Sequence, residues 1–191
     1  MAAPPGTILI LNGASSAGKT SLLAALQTAL AAPFLDAGID KFIFMLPRRY
    51  LDRPLWDDVL GLMLSAGAHG RQLFSGMHHA QAALARAGNN LVADHVLVEP
   101  EWVAECAALF ADLPAYLIGV HCPLEVLVAR EQVRADRTLG QAAAHFPLVH
   151  RHGVYDLNVD THARSTAECA AQIVAHLASG APPRALRELR G

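Results

Sequence analysis

A short stretch near the N-terminus, ILILNGASSAGKTSLLAALQTAL (residues 8–30), constrains the fold more than any other part of the chain. It begins with apolar residues typical of a buried strand and ends in an amphipathic segment typical of a helix. Between the two lies a turn of small residues, 13–20, which fits the pattern G-x-x-x-x-G-K-[ST] at every position. This order of strand, turn and helix predicts a phosphate-binding loop (P-loop).

Each residue type in the loop has a chemical role. Small residues let backbone N–H groups surround a phosphate, and the helix N-terminus adds the positive end of its dipole. The Lys19 ammonium can reach the β- and γ-phosphates, and the Thr20 hydroxyl can bind magnesium. We therefore predict ATP and Mg²⁺ as cofactors. The predicted nucleotide-binding residues are Gly13, Ala14, Ser15, Ser16, Ala17, Gly18, Lys19, Thr20 and Ser21.

The rest of the chain alternates between strand-like and helix-like segments. Strands are predicted at 7–12, 33–40, 90–96, 115–122 and within 155–161, with helical patterns between them. Strands separated by helices form a parallel sheet with helices on both faces. Because no linker or internal repeat divides the 191 residues, we predict one α/β domain over 1–191. Its predicted fold is the P-loop NTPase fold, a three-layer α/β/α arrangement of a mostly five-stranded parallel sheet with a helical lid.

Composition argues against several classes of partner. The formal net charge of −2 gives no basic surface for nucleic acid. No apolar run approaches the ~20 residues of a membrane span, and the N-terminus lacks the features of a signal peptide. The three cysteines are far apart, which favours reduced thiols and a cytoplasmic protein. The oligomeric state stays open, a homo-oligomer included.

Among P-loop proteins, the sequence favours a small kinase. A GTPase would carry an Asn-Lys-x-Asp motif, which the chain lacks, although the preference for ATP or GTP stays open. A kinase needs a proton acceptor near the second strand and an acid at the end of the third strand for magnesium. Asp40 and Asp94 fit these two roles. It also needs an arginine-rich lid over the triphosphate, which we predict at about residues 130–145. In this lid Arg130 is predicted to bind the nucleotide, and Arg134 and Arg137 are predicted to be catalytic, as are Lys19 and Asp40.

Several segments together resemble the chloramphenicol phosphotransferase family. They are ILNGASSAGKTSL, DAGIDKFIFMLP, LVADHVL, GVHCPLEVLVAREQVRADRTLGQA and VHRHGVYDLNVDT, in this order from about residue 7 to 178. The resemblance implies ATP-dependent phosphorylation of a hydroxyl on a small antibiotic-like molecule, with Asp40 as the catalytic base. The chain departs from the family pattern at His95, where a second acid is expected, and in the segment 48–69.

The acceptor is expected beyond the carboxyl ends of the strands, where open α/β sheets bind their ligands. The acceptor-pocket region is predicted at about residues 40–75, and the predicted contacts are Asp40, Phe42, Phe44, Met45, Trp56, Asp94 and His95. Five of these residues have a structural alternative: Asp40 as a helix cap, Phe42, Phe44 and Met45 as core, and His95 as a hydrogen-bonded residue at a strand end. Residues 161–164 are a candidate edge for the nucleotide base. Tyr155 and Asp156 are left open between a turn and a direct role.

Two other functions fit the same residues. A kinase of an ordinary metabolite, such as a sugar acid or a nucleoside, would use the same phosphate machinery and differ only in its acceptor. A nucleotide-dependent binding module without transfer would have little use for both Asp40 and an arginine-rich lid. Acceptor panels separate the two kinases, and detection of a phosphorylated product separates both from the binding module.

Overall fold

Five parallel strands form one sheet in the computed structural model, which describes residues 4–51, 67–133 and 139–191. The strand order is β2-β3-β1-β4-β5, with β1 in the centre. The strands are β1 (Ile8–Asn12), β2 (Phe34–Asp36), β3 (Asn90–His95), β4 (Ala115–His121) and β5 (Leu157–Asp160). Every pair of neighbours is parallel. The prediction of an α/β fold around a five-stranded parallel sheet is confirmed.

Helices cover the sheet. α1 packs against α7, whereas α4 packs against both α3 and α8. The helices are α1 (Lys19–Ala29), α2 (Ile39–Ile43), α3 (Ala68–Arg86), α4 (Pro100–Phe110), α5 (Leu124–Val133), α6 (Gln141–Val149), α7 (Thr166–Ala178) and α8 (Ala185–Arg190), with a 3₁₀ turn at Arg48–Tyr50. Within the described ranges no helix is long and apolar enough to span a membrane.

The core lies on both faces of the central strand. All five residues of β1 are buried, as expected for a strand covered by helices on both sides. Phe74 of α3 and Phe110 of α4 are fully buried beside the sheet. Burying one side chain of this kind stabilises the fold by about 1.5–3 kcal/mol. The sheet is therefore a rigid base for the loops at its carboxyl edge.

The second strand is shorter than the sequence predicts. β2 ends at Asp36, and Gly38 becomes the residue that precedes α2. The Asp36 carboxylate accepts a hydrogen bond from the Gly38 N–H (3.1 Å), which turns the chain out of the sheet. Asp40 therefore lies in the first turn of α2 rather than at a strand end or at the cap position.

Asp156 connects the last strand to the C-terminal helix. One carboxylate oxygen accepts hydrogen bonds from the N–H groups of Arg184 and Ala185, and the other accepts one from Leu117. A side chain that caps α8 and holds β4 has a structural role. Of the two roles left open for Asp156, the structure therefore supports the structural one.

Candidate active site

The loop between β1 and α1 has the backbone shape of an anion-binding site. Ser16 and Gly18 have positive φ angles of 63° and 85°, which bend the loop around a central point. Gly18 precedes α1, and no described side chain caps this helix. The first N–H groups of α1 can therefore bind an anion, which the helix dipole also favours.

Polar side chains of the loop are buried where a phosphate would lie. The Lys19 side chain is buried, and its Nζ donates hydrogen bonds to the carbonyl oxygens of Gly13 and Ala14, both at 2.8 Å. The hydroxyls of Ser15 and Ser16 are buried without a hydrogen-bond partner among the described residues. Buried hydroxyls are normally satisfied. These residues fit the phosphates of a nucleotide, whose oxygens would accept the missing hydrogen bonds.

An acid faces the loop from the end of β3. The Thr20 hydroxyl donates to Oδ2 of Asp94 at 3.4 Å, and the Asp94 side chain is buried. Burial raises the pKa of the Asp94 carboxyl, the Lys19 charge opposes this, and the nearby carboxylates of Asp40 and Asp36 raise the pKa further. A divalent cation would offset this buried negative charge, and hydroxyl and carboxylate oxygens are ligands that Mg²⁺ prefers. Thr20 and Asp94 thus fit a magnesium ion.

The start of α2 packs directly against this acid. A side chain at Gly38 would overlap Oδ1 of Asp94, so only a glycine lets the two segments come this close. The amide of Gln81 on α3 donates to the Ala37 carbonyl at 2.8 Å and fixes the loop from behind. Asp40 follows in the first turn of α2 and lines the same cleft as Lys19 and Asp94.

Arg130 and Thr161 close the other end of the loop. The Arg130 guanidinium donates to the Thr161 carbonyl (2.8 Å) and hydroxyl (3.3 Å). The Thr161 hydroxyl donates to the Ala17 carbonyl at 2.9 Å, so that residues after β5 contact the P-loop. The structure therefore brings Arg130 and the first residue of the candidate base edge, 161–164, to the nucleotide side.

One cleft of about 760 Å³ joins these groups. Besides the P-loop, Asp40, Asp94, Arg130 and Thr161, its walls include residues that the sequence analysis did not name: Ile39, Ile43, Val96, Glu125, Val126, Ala129, Val133, Gln141, His145 and Thr166. Those on α5 form one helical stripe with Arg130, so helical spacing on either side of Arg130 would have found them. Gln141 and His145 lie one turn apart on α6.

The predicted apolar acceptor contacts are only partly at the cleft. Phe42 is half-buried against the core, and Phe44 is 57% exposed beside a smaller cavity of about 170 Å³ that adjoins Asp40. Met45 is 69% exposed and lines neither cavity. Trp56, Arg134 and Arg137 lie outside the described residues, and their roles stay predictions.

His95 is not brought to the cleft. Its ring is fully buried between α3 and α4, stacked on His78 and close to Trp102. Nδ1 of His95 accepts a hydrogen bond from the Val96 N–H, so Nε2 carries the proton and donates to Nε2 of His78 at 2.8 Å. Burial lowers the pKa of both rings, which keeps them neutral. His95 therefore matches its structural alternative.

This histidine pair also lies near a thiol. Donor atoms of His78, His95 and Cys106 come within 4.8 Å of one another in the core. A metal ion needs an unprotonated ring nitrogen from each histidine. Because Nε2 of His95 carries its proton and His78 hydrogen-bonds Glu105 through Nδ1 (2.5 Å), both rings are committed to hydrogen bonds. The cluster is a buried polar network of the core.

A P-loop after the central strand, an acid on the neighbouring strand and a cleft for a small substrate define an ATP-dependent small-molecule kinase. The chain belongs to the family described as chloramphenicol phosphotransferase-like protein, whose sequence model matches residues 6–178. The Mycobacterium tuberculosis protein named "Putative O-phosphotransferase Rv2636" is 34% identical over 201 residues, which cover 98% of this chain and 89% of that protein. The predicted family resemblance and the predicted enzyme class are confirmed.

Solved kinase structures share the fold. The APS kinase CysC of Mycobacterium tuberculosis, in complex with AMPPNP and APS, superposes with a TM-score of 0.63 and 17% identity. The match covers 92% of this chain and 99% of CysC. A gluconokinase from Sinorhizobium meliloti 1021 gives a TM-score of 0.64 and 19% identity, over 93% of this chain and 94% of that one. At these identities the likeness shows the fold alone.

Proposed function

We propose that the protein transfers the γ-phosphate of ATP to a hydroxyl group of a small antibiotic-like molecule, as a chloramphenicol 3-O-phosphotransferase-like enzyme. The observation that carries this proposal is the position of Asp40. Asp40 lines one cleft with Lys19 of the P-loop and Asp94 of β3, and apolar residues line the same cleft. Asp40 could therefore accept the proton of a hydroxyl that is bound in this cleft beside the phosphates.

Each residue of the proposed site has its own role in the transfer. The P-loop N–H groups and the Lys19 ammonium bind the phosphates and stabilise the negative charge of the transferred group. Asp40 orients the acceptor hydroxyl and accepts its proton. Magnesium, held by Thr20 and Asp94, would neutralise charge on the phosphate oxygens. Arg130 adds positive charge where the loop meets Thr161.

The acceptor side of the cleft favours an uncharged molecule. Ile39, Ile43 and Val96 form this wall, and Lys19 and Arg130 are the cations among the described lining residues. Both belong to the phosphate side. An anionic metabolite such as a sugar acid would need a cation of its own to offset its desolvation. The wall therefore supports a neutral acceptor with an apolar part.

Mass spectrometry tests the proposal directly. The protein is incubated with ATP, Mg²⁺ and a library of hydroxylated antibiotics and metabolites, chloramphenicol among them, and each compound is examined for the gain of one phosphate. We expect product from neutral antibiotic-like compounds. Product from metabolites alone would replace the proposed acceptor, and ATP hydrolysis without any product would refute transfer.

The chain offers a matched control pair, because it has two lysines. Lys19→Ala should abolish the product. Lys41→Ala should retain it, because Lys41 is 60% exposed and pairs with Asp36 at the surface (3.1 Å).

A further inference from the structure

Gln141 is a buried hydrogen-bond donor that lines the cleft. The residue is 4% exposed, and its Nε2 has no hydrogen-bond partner among the described residues. A buried amide nitrogen without a partner is unfavourable, because it has lost its hydrogen bonds to water and has gained none within the protein. The hydroxyls of Ser15 and Ser16 also lack a partner among the described residues, and a nucleotide phosphate would supply one. Gln141 therefore indicates a second point at which a ligand completes the site.

The helix that carries Gln141 is fixed at both ends. At its start, the buried Glu131 carboxylate accepts hydrogen bonds from the N–H groups of Gly140 (2.8 Å) and Ala142 (2.9 Å). At its end, the Asn12 amide donates to the Val149 carbonyl at 2.8 Å. Asn12 is the last residue of β1, directly before the P-loop. α6 is thus attached to the rigid sheet and to α5, and Gln141 is held in place as part of a wall.

Gln141 begins a stripe that crosses the cleft. His145 lies one turn further along α6 and also lines the cleft, and Val149, another turn on, is buried beside Asn12. Asn12 itself is the last residue of β1, so the end of α6 meets the sheet directly before the P-loop. The inner face of α6 therefore lines the cleft at Gln141 and His145 and reaches the end of β1 at Val149.

An acceptor molecule and the nucleotide could both supply an oxygen to Gln141. The nucleotide phosphates already have N–H donors in the P-loop, Lys19 and Arg130. A neutral acceptor between Ile39 and Val96 would instead have its oxygens desolvated against apolar side chains. The Gln141 amide lacks a hydrogen-bond acceptor and such an oxygen lacks a donor, so each could satisfy the other.

We propose that Gln141 forms an acceptor subsite, in which its amide donates a hydrogen bond to a second oxygen of the molecule that is phosphorylated. The substrate class is therefore a neutral hydroxyl compound that carries a further carbonyl, ether, nitro or hydroxyl oxygen. This inference rests on the proposed kinase function and adds a requirement on the acceptor. The subsite selects among hydroxyl compounds, whereas the P-loop and Asp40 act on any of them.

Gln141→Met separates the subsite from a structural role. Methionine keeps the length of the side chain and removes the donor. If the Gln141 amide has no hydrogen-bond partner until a ligand binds, the variant without ligand should melt at the same temperature as the wild type or higher. The reason is that an unsatisfied buried group has been removed. At saturating ATP, the KM for the acceptor that the library assay identifies should rise about tenfold, the factor that corresponds to 1.4 kcal/mol. The Kd for AMPPNP should stay within about twofold.

Two controls sharpen the test. An acceptor analogue that lacks the second oxygen should have the same KM with both proteins. Gln172→Met, on α7, should change neither constant, because Gln172 also has a buried amide atom without a described partner but does not line the cleft.

Each remaining outcome overturns the subsite. An unchanged acceptor KM in Gln141→Met refutes it, whether or not the melting temperature falls. A weakened Kd for AMPPNP assigns Gln141 to the nucleotide instead. A wild-type protein without turnover on any library compound refutes the proposed function itself, and the acceptor subsite with it, so the two failures are distinguishable.

Discussion

Gly38→Ala should damage the site without touching a catalytic side chain. The φ angle at Gly38 is −69°, which any residue adopts, so the substitution strains no backbone. Space is the limit. The new methyl group would overlap Oδ1 of Asp94 and lie 3.0 Å from its Cγ. The Asp94 carboxylate, buried against Thr20 and the start of α2, must therefore move.

The size of the effect follows from the overlap. Relieving it displaces the carboxylate by about 1 Å, and a displacement of this size in a catalytic arrangement costs on the order of 10²-fold in rate. Overpacking of a buried site also lowers the free energy of unfolding by about 1–3 kcal/mol. Because Asp94 is the proposed magnesium ligand, the variant should also need a higher Mg²⁺ concentration for half-maximal turnover.

Turnover measured across a magnesium titration checks this expectation. Gly38→Ala should resemble Asp94→Asn, with a low kcat and a raised magnesium requirement. The control is Gly76→Ala in α3, where the new methyl group meets no atom within 4 Å. It should keep wild-type kinetics and gain about 0.5–1 kcal/mol of stability, as expected for a glycine replaced inside a helix. Wild-type kcat and magnesium dependence in Gly38→Ala would refute the reasoning.

Three further expectations follow from the same contacts. Lys19→Ala should lose transfer by several powers of ten in a product assay. The variant should still fold, with a free energy of unfolding lower by about 1–3 kcal/mol, because the Gly13 and Ala14 carbonyls lose the Lys19 donor. Retained activity would refute the P-loop role. Glu131→Ala should lower the free energy of unfolding, measured by urea denaturation, by about 2–3 kcal/mol, because the N–H groups of Gly140 and Ala142 lose a buried acceptor; Glu125→Ala, at an exposed position of α5, should not. Burial and the neighbouring rings of His121 and His152 lower the pKa of His150 to about 4. The unfolded chain therefore binds this proton first, and stability that is complete above about pH 6.5 should fall as the pH drops toward 4, with a smaller fall in His150→Gln.

The parts of the site that are local in sequence could be predicted from it. The P-loop needs only eight consecutive residues between a strand and a helix, so its position and chemistry follow from the pattern alone. Asp94 follows from its place at the end of a buried strand. The sheet itself follows from the alternation of apolar strands and helices.

His95 shows why one residue in a strand matters. Neighbouring side chains in a strand point to opposite faces, so when Asp94 faces the cleft, His95 must face α3 and α4. The packing of helices against the sheet determines which side chain, that of Asp94 or that of His95, points toward the cleft. The strand pattern alone placed both residues at the acceptor.

Gln141 could not be found from local sequence. The segment QAAAHFPLV reads as part of an apolar or lid helix, and its inner face depends on contacts with Glu131 and Asn12. Asn12 lies 137 residues before Val149. Only the folded chain brings the end of β1 to the end of α6 and thereby turns Gln141 toward the cleft.

The fate of the γ-phosphate tests the central claim most directly. With γ-labelled ATP, Mg²⁺ and the best acceptor of the library, the label is measured in the acceptor and in inorganic phosphate, for the wild type and for Asp40→Asn. We expect the wild type to place the label on the acceptor, and Asp40→Asn to do so about 10²–10⁴-fold more slowly with an unchanged nucleotide affinity. Label that appears only in inorganic phosphate, or an Asp40→Asn variant with normal transfer and weakened nucleotide binding, would contradict the account.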